Sequence, residues 1–467
     1  MKSNQILIVL FCLIVIALLP HTSVGEETPL IVHEWGTFTV LQNEKGDAIP
    51  GINIDDERLP GFCHNLLPWI NVRPFSFGFQ MKGAPPKHPY VNMRLETPVI
   101  YFHPAKGAAP FEIDVDVQFR GGWLTEFFPQ AIPSVPGLDE HNFTFGPIKP
   151  DTISSLLWKK VKVGTPAAGP KTDAHVWTAP RQVDAADVTV GPQRTEDAKT
   201  ESDRFLFYRG VANRKAPLRV KHELNTSKLQ IESQCAEVFS KDQSATINAI
   251  WLMHTRSDGT TAYRELGSAI LNGSAPAELL NTSSHFDPDE YAQTNMPKLK
   301  AKMHSHLMKA GLFEDEATAM LSTWENAYFK SPGLRLFFMV PEQWTNSVLP
   351  IRFSKSVTIK RVMMGRVEII TDEQRDLLKK LATVEVSPPT WIQTLPASQA
   401  RDLFLAGRSD FGDLGVPIPA DYQIYLKMGR FRNALILAES KKSGASKNIA
   451  NFIQSYNLEE FDADKVE

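Results

Sequence analysis

The clearest periodicity in the chain runs from Phe111 to Phe119, where Phe111, Ile113, Val115, Val117 and Phe119 alternate with Glu112, Asp114, Asp116 and Gln118. A period of two belongs to a strand with one dry face and one wet face. A slip of one residue would carry three acids into the core, so the pattern also specifies its register. Upstream, Val99 to Phe102 form a continuous apolar run that ends at His103. Pro104, Gly107 and Pro110 punctuate the short connection, and the two runs read as a hairpin at the centre of a sheet.

Residues 30–40 predict a first strand, which carries His33, Glu34 and Trp35. Residues 43–92 are dense in turn signals and in aromatics (Phe62, Trp69, Phe75, Phe77, Phe79), as expected of a long connection packed over a sheet. Residues 162–203 are polar and poor in aliphatics, and predict an exposed excursion. Strands follow at 204–211, 217–223, 227–232, 246–254 and 261–271, the last two bridged as a hairpin by Ser257-Asp258-Gly259. The period then changes. Leu299, Met303, Leu307 and Ala310 recur at helical spacing and stop at Gly311. Glu314, Asp315 and Glu316 suit the N-terminus of a second helix, whose apolar face is Ala317, Met320, Leu321, Trp324 and Tyr328. Leu334 to Val340, 347–353 and 356–370 return to strand, with Gly365 as a possible bulge. Thr371 and Gln374 form a capping-box pattern, and further helices are expected near 398–406, 419–428, 431–440 and 447–456.

Together these elements predict a β-rich α+β protein. The main region, 26–371, reads as an antiparallel β-sandwich with a helical hairpin insert at 288–330, and 372–467 reads as a small helical domain.

Composition narrows the address more than the chemistry. With 467 residues, 42% hydrophobic and 22% charged, the chain is long enough for a sizeable core and is ordinary for a folded protein. A formal charge of −3 leaves no basic field for nucleic acid. Lys2, the apolar run Ile6 to Leu19, Pro20 and the small residues Ser23-Val24-Gly25 spell a secretory signal peptide over residues 1–25, with an uncleaved anchor over 6–19 as the alternative. The expected location is therefore secreted or periplasmic, with no membrane span after signal removal. The mature chain retains Cys63 and Cys235, which either form a disulfide or remain separate buried thiols.

The segments VHEWGTFT (32–39), LETPVIYFH (95–103), GLFEDEATAMLSTWENAYF (311–329), GLRLFFMVP (333–341) and RVMMGRVEIIT (361–371) resemble a group of secreted bacterial proteins of unassigned function. The resemblance spans most of 30–371 and implies a bacterial exported protein, without an activity or a catalytic residue to carry over.

Several residue sets have chemistry to offer. His33 and Glu34 are neighbours on a strand and point to opposite faces, so they belong to different environments. Arg94 and Glu96 share a face, as an ion pair or as groups that orient a substrate. Glu96 and Glu126 are the pair a glycan hydrolase would use as acid and base, provided the fold brings them together. His33, Arg94 and Trp123 are candidate binding residues. His33 and His103 are the candidate metal ligands, with His64 as a third. There is no nucleophile elbow, phosphate loop, dinucleotide fingerprint or haem motif, so no cofactor is implied. The leading reading is a non-catalytic envelope or extracellular binding protein, with a carbohydrate or an envelope protein as partner. A carboxylate-dependent hydrolase and a histidine metal site are the alternatives.

Overall fold

The structure is a computed structural model that describes residues 30–54, 59–66, 83–137, 145–193, 198–273, 277–396 and 416–464. The signal segment, much of the aromatic connection (Trp69, Phe75, Phe77, Phe79) and the helix expected near 398–406 lie outside the described residues. Strand outweighs helix, 37% against 24%, so the protein is β-rich.

Eighteen strands make three sheets among the described residues. The largest has the order β14 (Thr261–Asn272), β13 (Ser244–Thr255), β16 (Gly333–Val340), β18 (Val357–Ile369), β1 (Leu30–Gln42), β3 (Met93–His103), β10 (Leu206–Ala212), β5 (Gly122–Phe128) and β2 (His64–Asn65). A second runs β17 (Ile351–Phe353), β4 (Phe111–Arg120), β7 (Ile153–Val163), β8 (Val188–Val190) and β9 (Glu201–Asp203), with β6 (Ile132–Ser134) also on β7. The third is β11 (Leu218–Glu223), β12 (Lys228–Ser233) and β15 (Ala277–Ser283). Pairing is antiparallel except between β1 and β18, which run parallel. Among the described residues the α-helices are α1 (His175–Thr178), α2 (Asn295–Lys309), α3 (Glu314–Thr323), α4 (Glu342–Val348), α5 (Asp372–Leu381), α6 (Ala420–Lys427), α7 (Arg432–Ser440) and α8 (Lys447–Ser455).

The expected hairpin of β3 with β4 does not form. β3 pairs with β1 and β10 in the large sheet, while β4 pairs with β7 and β17 in the second. The connection 104–110 thus carries the chain from one sheet to the other. Alternation specified which face of β4 is dry, but a dry face accepts any partner that covers it. The hairpin of β13 with β14 does form.

β1 shows how the layers meet. Val32, Phe38 and Val40 enter a core cluster shared with Ile113, Val115, Val117 and Leu156 of the second sheet. Trp35 enters a different cluster with Leu307, Met320 and Trp324 of the helices. Each apolar residue so covered contributes roughly 1.5–3 kcal/mol. Opposite Pro98 the β1–β3 register shifts between Trp35 and Thr37, and Gly36 sits there with no room for a side chain. Gly365, expected to mark a bulge, keeps its register on both sides; its missing side chain makes room for the Phe338 ring.

Two further expectations change. Residues 162–203 are exposed only in part, because Trp177, Val183, Val188 and Val190 are buried. Their low aliphatic content hid one tryptophan that plugs the core and two short strands that extend a sheet. The tail after Thr371 is helical, and Thr371 accepts the Gln374 N–H at the start of α5 as its capping box requires. Its apolar residues share a cluster with Leu41, Ile52, Trp123 and Ile370, so it does not have a core of its own.

Candidate metal centre

On the β1–β3 pair, His33 stands opposite Tyr101. His103 lies two residues beyond Tyr101, hence on the same face and diagonal to His33. The two imidazole rings are 5.0 Å apart between centroids. The first turn of α3 lies against this face and delivers Glu316 between them. His33 Nδ1 lies 2.7 Å from Glu316 Oε2, and His103 Nε2 lies 3.1 Å from Oε1. The Phe313 N–H donates to Glu316 Oε2 at 2.8 Å, the backward bond of a capping box, so the helix start itself fixes the carboxylate. Glu316 is fully buried and His33 nearly so; the His103 side chain is 11% exposed.

Burial alone would raise the Glu316 carboxyl. The hydrogen bonds from His103 and His33, the nearby His33 charge and the Phe313 N–H together outweigh it and hold the group below its ordinary value. The ionised acid thus faces two imidazoles, and one ligand atom from each of the three side chains falls within 4.8 Å of the other two. Bonds of about 2.0–2.1 Å at tetrahedral angles would separate donor atoms by roughly 3.3 Å, a few tenths of an ångström wider than the contacts here. Without an ion, the same groups close as a hydrogen-bonded unit with protons on His33 Nδ1 and His103 Nε2. A cation would take the place of those two protons. The Phe313 ring covers the group from outside, 4.6 Å from the His33 ring and 4.8 Å from the His103 ring, and is itself 44% exposed.

The sequence supplied His33 and His103 but not Glu316, which read as one of three acids favouring a helix N-terminus. The available signal was facial. Glu316 stands beside Ala317 and four residues before Met320, both buried on α3, and Trp324 follows at eight, just past the helix end. Glu314 and Asp315 instead line an open groove of about 710 Å³ on its outer face, with His175, Gln182, Thr318 and Ser322.

The other candidates lie elsewhere. Glu34, on the opposite face of β1 from His33, binds Tyr208 and Arg361. Glu96 pairs with Arg94 at 3.0 Å, and Glu126 pairs with Arg209. The two acids sit on β3 and β5 with β10 between them, each on its own arginine, which is the arrangement of two ion pairs. Trp123 is buried against His88 and Phe145. His64 binds Glu201 at 2.8 Å, away from His33 and His103. Cys63 and Cys235 are both free thiols in different clusters. Burial pushes both thiols up, with Glu126 adding to the effect at Cys63.

No protein-family model matches the chain, and no curated protein matches it. Among solved structures it is similar to the yeast delta-COP-I mu-homology domain complexed with a Dsl1 WxWxV peptide, at 8% identity and a TM-score of 0.25, over 74% of this chain and 100% of that one. The same yeast domain alone gives 7% identity and 0.24, over 74% and 99%. The Fcho1 mu homology domain of Danio rerio with a bound Eps15 peptide gives 8% and 0.24, over 73% and 94%. Among the described residues, no helix is long and apolar enough to cross a membrane.

Proposed function

We propose that this chain is an exported binding protein whose ligand is a divalent transition-metal ion held by His33, His103 and Glu316. One observation carries the reading: three ligating groups from distant parts of the sequence converge beneath one aromatic ring. Two imidazoles and a carboxylate without a thiolate suit zinc and the harder first-row ions over Cu(I). The leader-like residues 1–25 support export. In this reading the two large sheets are the leaves of a sandwich, and α2 with α3 is a helical hairpin laid across its outer face to complete the centre.

The test uses the chain from Glu26 onward, stripped with chelator and titrated with Zn(II) in a calorimeter, with bound metal counted after dialysis. About one ion per chain is expected. His33→Ala and His103→Ala are each expected to weaken binding at least about 100-fold, more than the loss usual for an outer-shell partner. Dialysed wild type without bound metal and a titration without heat would overturn the reading.

A further inference from the structure

We infer that Phe313 is the gate of this centre, and that an ion enters and leaves only when its ring swings off the two imidazoles. The inference rests on the metal reading above and adds what controls exchange. The ring lies 4.6 and 4.8 Å from the two histidine rings, centroid to centroid, and among the described residues it is one of the few large apolar side chains left exposed. A phenylalanine with 44% of its surface in water keeps only part of the gain that full burial would bring. Its place is explained by what lies beneath: a nearly closed group with the Glu316 carboxylate at its centre and His103 as its most exposed member. On another side Tyr101 packs against the His103 ring, backed in turn by Trp35 and Trp324. Phe313 is thus the exposed side chain that contacts both imidazoles, and a route from solvent to the ligand atoms runs past its ring.

The backbone beneath the gate is tied to the ligand set. The Phe313 N–H is bonded to Glu316 Oε2, so the backbone that carries the ring is fixed by the carboxylate that would hold the ion. Turning the ring needs only side-chain rotation, a fast motion in exposed residues. Moving the backbone would disturb Glu316. An apolar cover of this kind controls solvent access to a metal without supplying a ligand, so its removal acts on rates more than on affinity.

The experiment loads wild type, Phe313→Ala and Phe313→Leu with Zn(II), then mixes each with excess pyridylazo-resorcinol in a stopped-flow instrument. Equilibrium affinity is measured separately by calorimetry. Phe313→Ala is expected to speed both uptake and release by about tenfold or more while the dissociation constant stays within about threefold, and Phe313→Leu to fall between the two. Unchanged exchange rates in a Phe313→Ala protein that binds one ion would overturn the gate and leave the metal centre standing. Faster release with unchanged uptake would show Phe313 to be a packing residue that steadies the ligands, and would also overturn the gate. Absence of binding in wild type would remove both.

Discussion

Glu34 and Glu316 are both fully buried, and both meet β1, yet the fold surrounds them with different partners. Glu34 projects from the face of β1 opposite His33. There it takes the Arg361 Nε at 2.5 Å and the Tyr208 hydroxyl, while Arg361 Nη1 donates to Leu349 O at 2.6 Å and Asn346 Oδ1 at 3.0 Å. Glu316 approaches from the helical layer and takes two imidazoles that belong to β1 and β3. A guanidinium is charged at any ordinary pH and cannot bind a cation, so the first arrangement is permanent. An imidazole nitrogen that gives up its proton can ligate a metal, so the second is replaceable. Burial of a carboxylate does not by itself mark a site; what matters is whether its partners can let go.

The largest effect should come from breaking the permanent arrangement. Arg361→Met leaves the Glu34 carboxylate buried without its cation, and denaturant unfolding should show a loss of about 3–5 kcal/mol. A loss below about 1 kcal/mol would mean that Glu34 accepts a proton or water readily, and the contrast would fail. Such a loss should leave zinc binding by the folded fraction unchanged.

Glu316→Gln tests the other side. In metal-free protein it should cost only about 1–2 kcal/mol, since the amide keeps part of the hydrogen bonding. Its signature is in the pH profile. The folded-state carboxyl is held below its ordinary value near 4.5, so the stability it contributes is complete above that value and is lost as pH falls through the folded value. Unfolding measured from pH 7 to pH 3 should therefore show a part of the acid limb in wild type that is missing in Glu316→Gln. Arg361 has the opposite sign. Burial disfavours its charge, but Glu34 and Tyr208 outweigh that and raise it, so its contribution is complete throughout the neutral and acid range. An identical acid limb in the two proteins would sink the distinction between the pairs.

An effect well below that of Arg361→Met, and without the pH signature of Glu316→Gln, is expected from Tyr208→Phe, which removes one hydroxyl from Glu34 and leaves Arg361 in place. A loss of about 1.5 kcal/mol by thermal or chemical unfolding is expected, with no change in the acid limb or in metal uptake. A loss as large as that of Arg361→Met would make the tyrosine an equal partner.

These contrasts also show what could be read without coordinates. β1, the β13–β14 hairpin, the capping box of α5 and the dry face of β4 all rest on patterns within a few residues of one another, and local pattern is what sequence carries best. The partner of β4 was misread because its apolar face fits any complementary sheet, and the connection 104–110 is as able to turn a corner as to close a hairpin. His33 and His103 stood out because a histidine in an apolar strand needs a reason. Glu316 did not, because an acid in the first turn of a helix already has one. It was the apolar company of Ala317 and Met320, with no such company around Glu314, that set it apart. The odd-numbered face of β1 reads the same way in retrospect. His33 meets Glu316, Trp35 meets Trp324, and Thr37 and Thr39 both meet the Tyr328 hydroxyl, so the motif at 32–39 is in large part the docking face for the helical segment at 311–329.

The parallel seam between β1 and β18 has a consequence for how the chain comes into being. Leu30 pairs with Val357 and Gln42 with Ile369, so the earliest strand of the large sheet has one side open until one of the last strands is made. A polypeptide delivered N-terminus first, from a ribosome or through a translocation channel, cannot complete that sheet early, because a contact across so many residues forms slowly and late. A nascent chain halted before Val357 would present β1 as a bare, mostly apolar edge, the kind of surface that recruits other strands. The same order of arrival makes truncation hazardous, and it arises from placing β1 in the middle of the large sheet.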